Sequence, residues 1–284
     1  MDFLEFSARF SDEAACEHYL IAKRWPQGYV CPGCQSQKAY YIKARRTFEC
    51  SICHQQHSIT AGTVFHKTQT PLKEWFLAIF LLSQSKKGIS GLALQRFLGA
   101  DYTDRIYRMK SKIQAAMLHR DAKYNLAGLN ELDVAFFSES GRKTPVLLSV
   151  ELDEEGFPRF LKAKTIENQS AEQIQAALVA CFGSNNARFV SDGHKSFEKL
   201  ADSFKITPIP MREKRDNQVV LPWVHICISN LKRFLLGTHH SVRYLARYLA
   251  EFCWRFNRRH LNLFERLIHT AVLFKPDNIP ALIS

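Results

Sequence analysis

The sequence predicts an α/β protein with a cysteine-built module near its start, strands in its middle and helices at its end. Three observations predict it. Four cysteines fall into two C-x2-C pairs within the first quarter of the 284 residues. β-type runs cluster after residue 130, and helical spacing of apolar residues returns after residue 220.

Composition narrows the class further. The hydrophobic fraction, 46%, suits a globular protein with a real core. No run of eighteen apolar residues occurs, so no membrane-spanning helix is expected. The opening MDFLEFSARFSDEAAC carries acids and lacks a basic-then-apolar signal pattern, which argues against export. A cytoplasmic protein with eight cysteines is expected to use them as metal ligands or reduced thiols.

The net charge of +12 is unevenly spread. Residues 21–70 hold seven Lys/Arg against one acid, 71–120 nine against three, 121–220 thirteen against fifteen, and 221–284 nine against three. A near-neutral centre between basic stretches suits a polyanion held on both sides of a chemistry-bearing middle. Solvated lysine faces would give the same sum.

Element by element, residues 1–25 read as a helical segment with a mixed acidic face. Residues 26–66 read as a zinc ribbon: Cys31, Cys34, Cys50 and Cys53 form C-x2-C-x15-C-x2-C, and the alternating AYYIKARRTFEC supplies a hairpin between the knuckles. A redox C-x2-C needs only one such pair. Four thiolates close the shell, so the zinc is expected to be structural. Lys43, Arg45 and Arg46 on the hairpin either face DNA phosphates or form a solvated edge. The remaining cysteines, Cys16, Cys181, Cys227 and Cys253, read as core residues.

Residues 67–122 read as a helix-turn-helix region. PLKEWFLAIFLLSQ opens with Pro at a helix start. SGLALQRFLGADY then gives a short helix and a Gly99-Ala100-Asp101 turn, and Thr103 to Leu118 the next helix. There Ile106, Met109, Ile113 and Met117 should face inward, with Arg105, Arg108 and Lys112 together on another face. A groove-entering helix and a plain bundle with a charged face both fit.

From residue 123 to 284 the pattern is α/β. ELDVAFF, PVLLSVELD and RFLKAKTI read as strands, SAEQIQAALVACF as a helix capped by Ser170, ARFVSDG and FKITPIP as further strands, and three helices follow. Asp133 sits mid-strand in an apolar run and Asp192 at a strand end. Acids there are costly to bury unless paired or metal-bound. Two from neighbouring strands suit the two-metal clamp of phosphoryl transfer on nucleic acids. A third ligand is then wanted from a helix crossing the strands, and LPWVHICISNLKRFLLG carries His225, Ser229 and Lys232 on one polar stripe.

Several blocks together resemble the transposases of the insertion-sequence 1595 family, ISXO type. They are RWPQGYVCPGC, GTVFHKTQTPLKEWF, KKGISGLALQRFLG, ELDVAFF, VSDGHKSF, SNLKRFLLGTHH and YLAEFCWRFNRR, in the family's order over residues 12–262. The resemblance implies a DDE-type, ribonuclease H-like catalytic domain behind a zinc ribbon, with Asp133 and Asp192 as the first two catalytic acids. It also implies that Glu251, Arg255 and Arg258 match the family's E-R-R helix, supporting the site or the DNA strand. Relatives often place a Glu seven residues before a Lys. Seven before Lys232 stands His225, on the same helix side, whereas Asn230 lies two before it, nearly opposite. His225 is therefore the favoured third ligand and Asn230 the alternative, with Lys232 placed to meet a DNA phosphate.

Two departures stand out. The family's Asp-Glu is Asp133-Val134 here, and its glycine pair after that strand is Ser138-Glu139-Ser140. Strand alternation turns Val134 away from Asp133, while the serines are expected to alter the hairpin. The expected protein binds terminal inverted repeats of double-stranded DNA, cleaves, and joins 3′ ends to target DNA. It uses structural Zn²⁺ and catalytic Mg²⁺ or Mn²⁺, acts as a dimer or higher on DNA, and works at the nucleoid. The alternatives are a repurposed DNA-binding protein without chemistry and a metal-dependent nuclease without strand transfer.

Overall fold

A computed structural model describes residues 1–101, 103–182, 186–209, 221–238 and 244–274. They pack as two compact units. The first holds Met1–Gln84, Gly91–Ala116 and the residues from Asn262 on; the second holds Ser85–Ser90 and Met117–Leu261.

In the first unit the opening segment is two helices, α1 (Phe3–Arg9) and α2 (Glu13–Arg24). Two aspartates divide them. Asp2 closes a capping box with Glu5, and Asp12 accepts the Ala15 N–H at 2.8 Å, so each starts its own helix. The ribbon follows as β1 (Ala39–Ile42), β2 (Thr47–Cys50) and β3 (Gln56–Ser58), paired antiparallel in that order. Then come α3 (Leu72–Gln84), α4 (Gly91–Leu98) and α5 (Thr103–Ala122). Ile106, Met109, Ile113 and Met117 are all buried along α5, as their spacing requires.

The last helix, Leu263–Leu273, belongs to this first unit rather than with the strands. Its Phe264 joins the aromatic cluster of Phe6, Phe10, Phe76 and Phe80, and Ala271 O accepts the Val64 N–H at 2.9 Å. Glu265 pairs with Lys23 at 2.8 Å and Arg9 at 3.2 Å. An amphipathic helix goes where its apolar stripe is complemented, whatever its place in the chain.

The second unit is built on a five-stranded sheet. Its elements are β4 (Gly128–Glu139), β5 (Arg142–Leu152), β6 (Pro158–Thr165), α6 (Ala171–Ala177) with a π-helical continuation over Leu178–Phe182, β7 (Ala187–Asp192), α7 (Lys195–Glu198), α8 (Ala201–Phe204), β8 (Ile206–Ile209), α9 (Pro222–Thr238) and α10 (Leu245–Phe256). The sheet order is β6-β5-β4-β7-β8. β4, β5 and β6 are antiparallel neighbours, while β7 lies parallel to both β4 and β8. Ser170 caps α6 through the Gln173 N–H.

Alternation sorts β4 between two cores. Ala135 and Phe137 pack with Val146, Leu148, Leu231 and Leu249 under α9 and α10. Leu132 packs with Leu147, Ile174 and Phe189 on the α6 side, where Val134 is only partly buried. Odd positions of β4 therefore face α9 and α10, and even ones face away. The altered SES stretch still closes a two-residue hairpin. Glu139 pairs with Arg142, and Ser140 and Gly141 take φ of 49° and 82°, the left-handed pair of a type I′ turn.

Candidate active site

Asp133 lies mid-sheet on β4, on the face covered by α9 and α10. Parallel pairing aligns Leu132 with Ser191, which brings Asp192, at the end of β7, beside Asp133. Val190 packs in the α9–α10 core, so Asp192, two residues on, shares that face. Burial first, and then the charge of Asp192, push the Asp133 carboxyl above the usual aspartate range. Its Oδ1 accepts the Val134 N–H at 2.7 Å. From α9, His225 Nε2 stands 3.4 Å from Asp133 Oδ2, with half of the imidazole exposed. An oxygen-rich, mutually repelling pair with an imidazole beside it is a donor set that suits a divalent cation.

The structure thus sets Asp192 and His225 each beside Asp133. Lys232 and Asn230 are both exposed further along α9. Among the described residues, the only group of three or more His, Cys, Asp or Glu with ligand atoms all within 4.8 Å is the cysteine set.

Two further acids on β4 do work that sequence reasoning passed over. Glu131, buried, accepts the Val224 N–H at 2.7 Å and also bonds the Trp223 N–H. These are the second and third residues of α9, so a strand carboxylate caps a helix that has Pro222 at its first position. Burial raises the Glu131 pKa, and the two amides and the nearby His225 oppose that rise. Glu139 does the same for α10, accepting the Leu245 N–H at 2.8 Å. Glu131, Asp133 and Glu139 share one parity along a strand, and that was the available signal.

Glu251, Arg255 and Arg258 all turn inward. Glu251 is fully buried, 3.7 Å from the Arg255 guanidinium, which also donates to the Ser85 carbonyl. Arg258 forms a forked pair with Asp121 at 2.6 and 3.2 Å. Beside it, Asn257 accepts the Leu161 N–H at 2.7 Å and donates to the Leu161 carbonyl at 3.1 Å, closing the free edge of β6.

In the ribbon the four Sγ atoms converge, with Cys31–Cys53 at 3.6 Å and Cys34–Cys50 at 3.4 Å. Four thiolates on a tetrahedral zinc sit about 3.8 Å apart at a Zn–S distance of about 2.3 Å, so the set fits that ion. The two knuckles are equivalent. Gln35 and His54 each take a left-handed φ, and their N–H groups reach Cys31 O and Cys50 O. The Cys53 and Ile52 backbone N–H groups lower the Cys50 thiol to about 6.

The basic residues divide by their partners. Arg46 is tied to Glu13 at 2.8 Å and Glu17 at 2.6 Å on α2, whereas Lys43 and Arg45 are exposed. Arg105, Arg108 and Lys112 do share one face of α5, and together they line a surface pocket. Of the cysteines expected in the core, Cys16, Cys227 and Cys253 are buried and Cys181 is half-buried.

A four-cysteine ribbon ahead of an α/β unit with paired acids on one sheet face is the arrangement expected of a transposase. Residues 11–56 match the transposase zinc-ribbon domain and residues 125–257 the ISXO2-like transposase domain, both of one family and together more than half of the chain. The chain belongs to the insertion-sequence 1595 family of transposases. It is 27% identical over 138 residues to an uncharacterised protein in transposable element ISH50 of Halobacterium salinarum. That match takes in 47% of this chain and 45% of the relative, so the chain spans less than half of that protein. A solved simian T-cell lymphotropic virus intasome in complex with PP2A regulatory subunit B56 gamma is similar at a TM-score of 0.32 and 12% identity, over 65% of this chain and 68% of that one. A likeness at that score carries no argument. Among the described residues no helix is long and apolar enough to cross a membrane.

Proposed function

We propose that the chain is a DDE-type transposase that cleaves DNA at the ends of its own element and joins the freed 3′ ends to target DNA. The β4–β8 unit is then its ribonuclease H-like catalytic domain. The observation that carries this reading is the pairing of Asp133 and Asp192 on one sheet face, with His225 Nε2 of α9 3.4 Å from Asp133 Oδ2.

Asp133, Asp192 and His225 would hold Mg²⁺ or Mn²⁺, with Asn230 as the alternative third ligand. When bound, the ions supply the polarisation of the phosphodiester and the activation of the attacking oxygen. The protein's own part is to hold the two carboxylates on adjacent strands, and to present the imidazole from a helix pinned at its start by Glu131. Exposed Lys232 meets a phosphate of the bound strand. The ion pairs of Glu251 with Arg255 and of Asp121 with Arg258 keep α10 seated, a supporting role that their burial favours over contact with DNA. Residues 26–66 and 67–122, the ribbon and the helix-turn-helix region, bind the terminal repeats, and two or more copies act on the paired ends.

The test is an assay with a duplex carrying the repeats that flank the coding region, a target duplex and Mg²⁺ or Mn²⁺. Nicking at the repeat end and a joined product are expected, with both lost in Asp133→Asn and Asp192→Asn while the duplex stays bound. Nicking without joining makes the chain a nuclease. Binding without nicking in either metal makes it a DNA-binding protein.

A further inference from the structure

A pocket of about 390 Å³ opens on the first unit between the early turns of α5 and the segment leading into α3. Its lining gathers four cations, Lys67, Arg105, Arg108 and Lys112, against one carboxylate, Asp104. The three cations on α5 follow i, i+3, i+7 spacing, so they line one helix face, and Lys67 comes from the opposite rim. Like charges gathered in a concavity raise the local potential and concentrate anions.

The rim is firmly built. Thr68 Oγ1 accepts the Trp75 indole N–H at 2.9 Å and the Thr70 N–H at 3.1 Å, and the Thr68 N–H reaches Phe65 O at 3.1 Å. Lys67 holds a left-handed backbone, φ 52°, which a lysine adopts at a cost and which recurs at ligand clamps. Arg105 is steered by Glu74 at 3.0 Å, and half-buried Lys112 donates to His66 O at 3.3 Å. Burial there works against the Lys112 charge, and an anion in the pocket would favour it.

We infer that this pocket seats a backbone phosphate of the bound DNA. The group is a phosphodiester and not a base edge. Base edges lie on a groove floor and are read by side chains that project into it, whereas phosphates project from the duplex and fit a concavity. Arg105, Arg108 and Lys112 therefore position the duplex and do not read its bases. The inference rests on the proposed binding of DNA and assigns one contact within it.

The test uses the full zinc-loaded chain and an Arg108→Gln/Lys112→Gln double variant, checked for equal zinc content and thermal unfolding. Affinity is measured from 50 to 200 mM salt for a duplex bearing the flanking repeat and for a scrambled one. Each phosphate contact contributes about 0.9 to the slope of log K against log salt. Loss of that one phosphate contact should therefore lower the slope by about 0.9 and shrink the salt-induced weakening by about three- to fourfold, equally for both duplexes. A scan of single methylphosphonate linkages should find one that weakens the wild type and leaves the double variant unchanged. If the double variant unfolds, exposed Arg108→Gln alone carries the test, with a slope change in the same direction of at most about 0.9. An unchanged slope, or a discrimination between duplexes that collapses, overturns the inference. So does inorganic phosphate that binds the wild type and not the variant while both bind DNA alike, which would mark a free-anion site. A wild-type chain that binds neither duplex overturns the DNA reading itself.

Discussion

Glu131 Oε2 accepts the backbone N–H of Val224 at 2.7 Å, so a carboxylate on the central strand caps the helix that carries His225. Asp133 lies two residues further along the same strand face, and His225 is one residue beyond the capped amide. With the Trp223 N–H on the same carboxylate, this cap holds the start of α9 where the imidazole reaches the acid. Removing the carboxylate in Glu131→Ala strands two buried amides and is expected to cost about 1–2 kcal/mol. Glu131→Gln, which keeps an acceptor, should cost less. Denaturant unfolding checks the cost, and amide exchange at Val224 and His225 checks the place. Equal protection in wild type and Glu131→Ala would show that the cap does not hold α9.

The ribbon prediction is chemical. Cys50→Ser should release zinc and loosen residues 26–66, since one lost thiolate opens a four-ligand shell. The strands of the second unit should survive, because they form their own compact unit. Metal analysis with thiol alkylation decides it; zinc-free wild-type protein with four reactive thiols in the ribbon would defeat the reading.

For His225, substitution by Ala is expected to lower cleavage by more than about a hundredfold, since even groups behind a ligand cost 10–100-fold. DNA binding should stay. His225→Glu should keep some activity and shift its preference toward Mg²⁺, as an oxygen donor replaces nitrogen. Asn230→Ala should do little. A dead Asn230→Ala beside an active His225→Ala would hand the role to Asn230.

Asp133 predicts a stability that trades against function. Its raised pKa means that it supports the fold below the ordinary carboxylate range, and that this support is lost as pH rises through the raised value. At neutral pH, without metal, the carboxylate near Asp192 is then a net cost. Asp133→Asn should raise the metal-free unfolding temperature at pH 7, at roughly 2–4 °C per kcal/mol recovered. It should also abolish the rise that Mn²⁺ gives the wild type. A variant that melts lower, yet still responds to Mn²⁺, would remove Asp133 from the metal site.

Arg258 and Asp121 are both nearly buried, and the forked pair satisfies both. Arg258→Ala leaves the buried Asp121 carboxylate with the neutral Asn257 amide and without its guanidinium, and is expected to cost about 3–5 kcal/mol, and Arg258→Lys cannot restore the fork. Unfolding curves measure this. A flatter salt dependence of DNA binding, with stability unchanged, would instead make Arg258 a strand contact.

The sequence by itself determined the chemistry-bearing residue types and their local frames. Cysteine spacing implied the ribbon because knuckle geometry is local, and alternation along ELDVAFF turned Val134 away from Asp133 because a strand has a period of two. The spacing of His225 and Lys232 put both on one helix side for the same kind of reason. Tertiary structure decided what depends on distant partners. Arg46 meets Glu13 and Glu17, Arg258 meets Asp121, and Glu139, which read as a departure in a hairpin, caps α10 more than a hundred residues away. The last helix left the strands for an aromatic cluster beginning at Phe6. Charge and apolarity show in a sequence that a side chain needs a partner, but only packing selects which partner lies within reach.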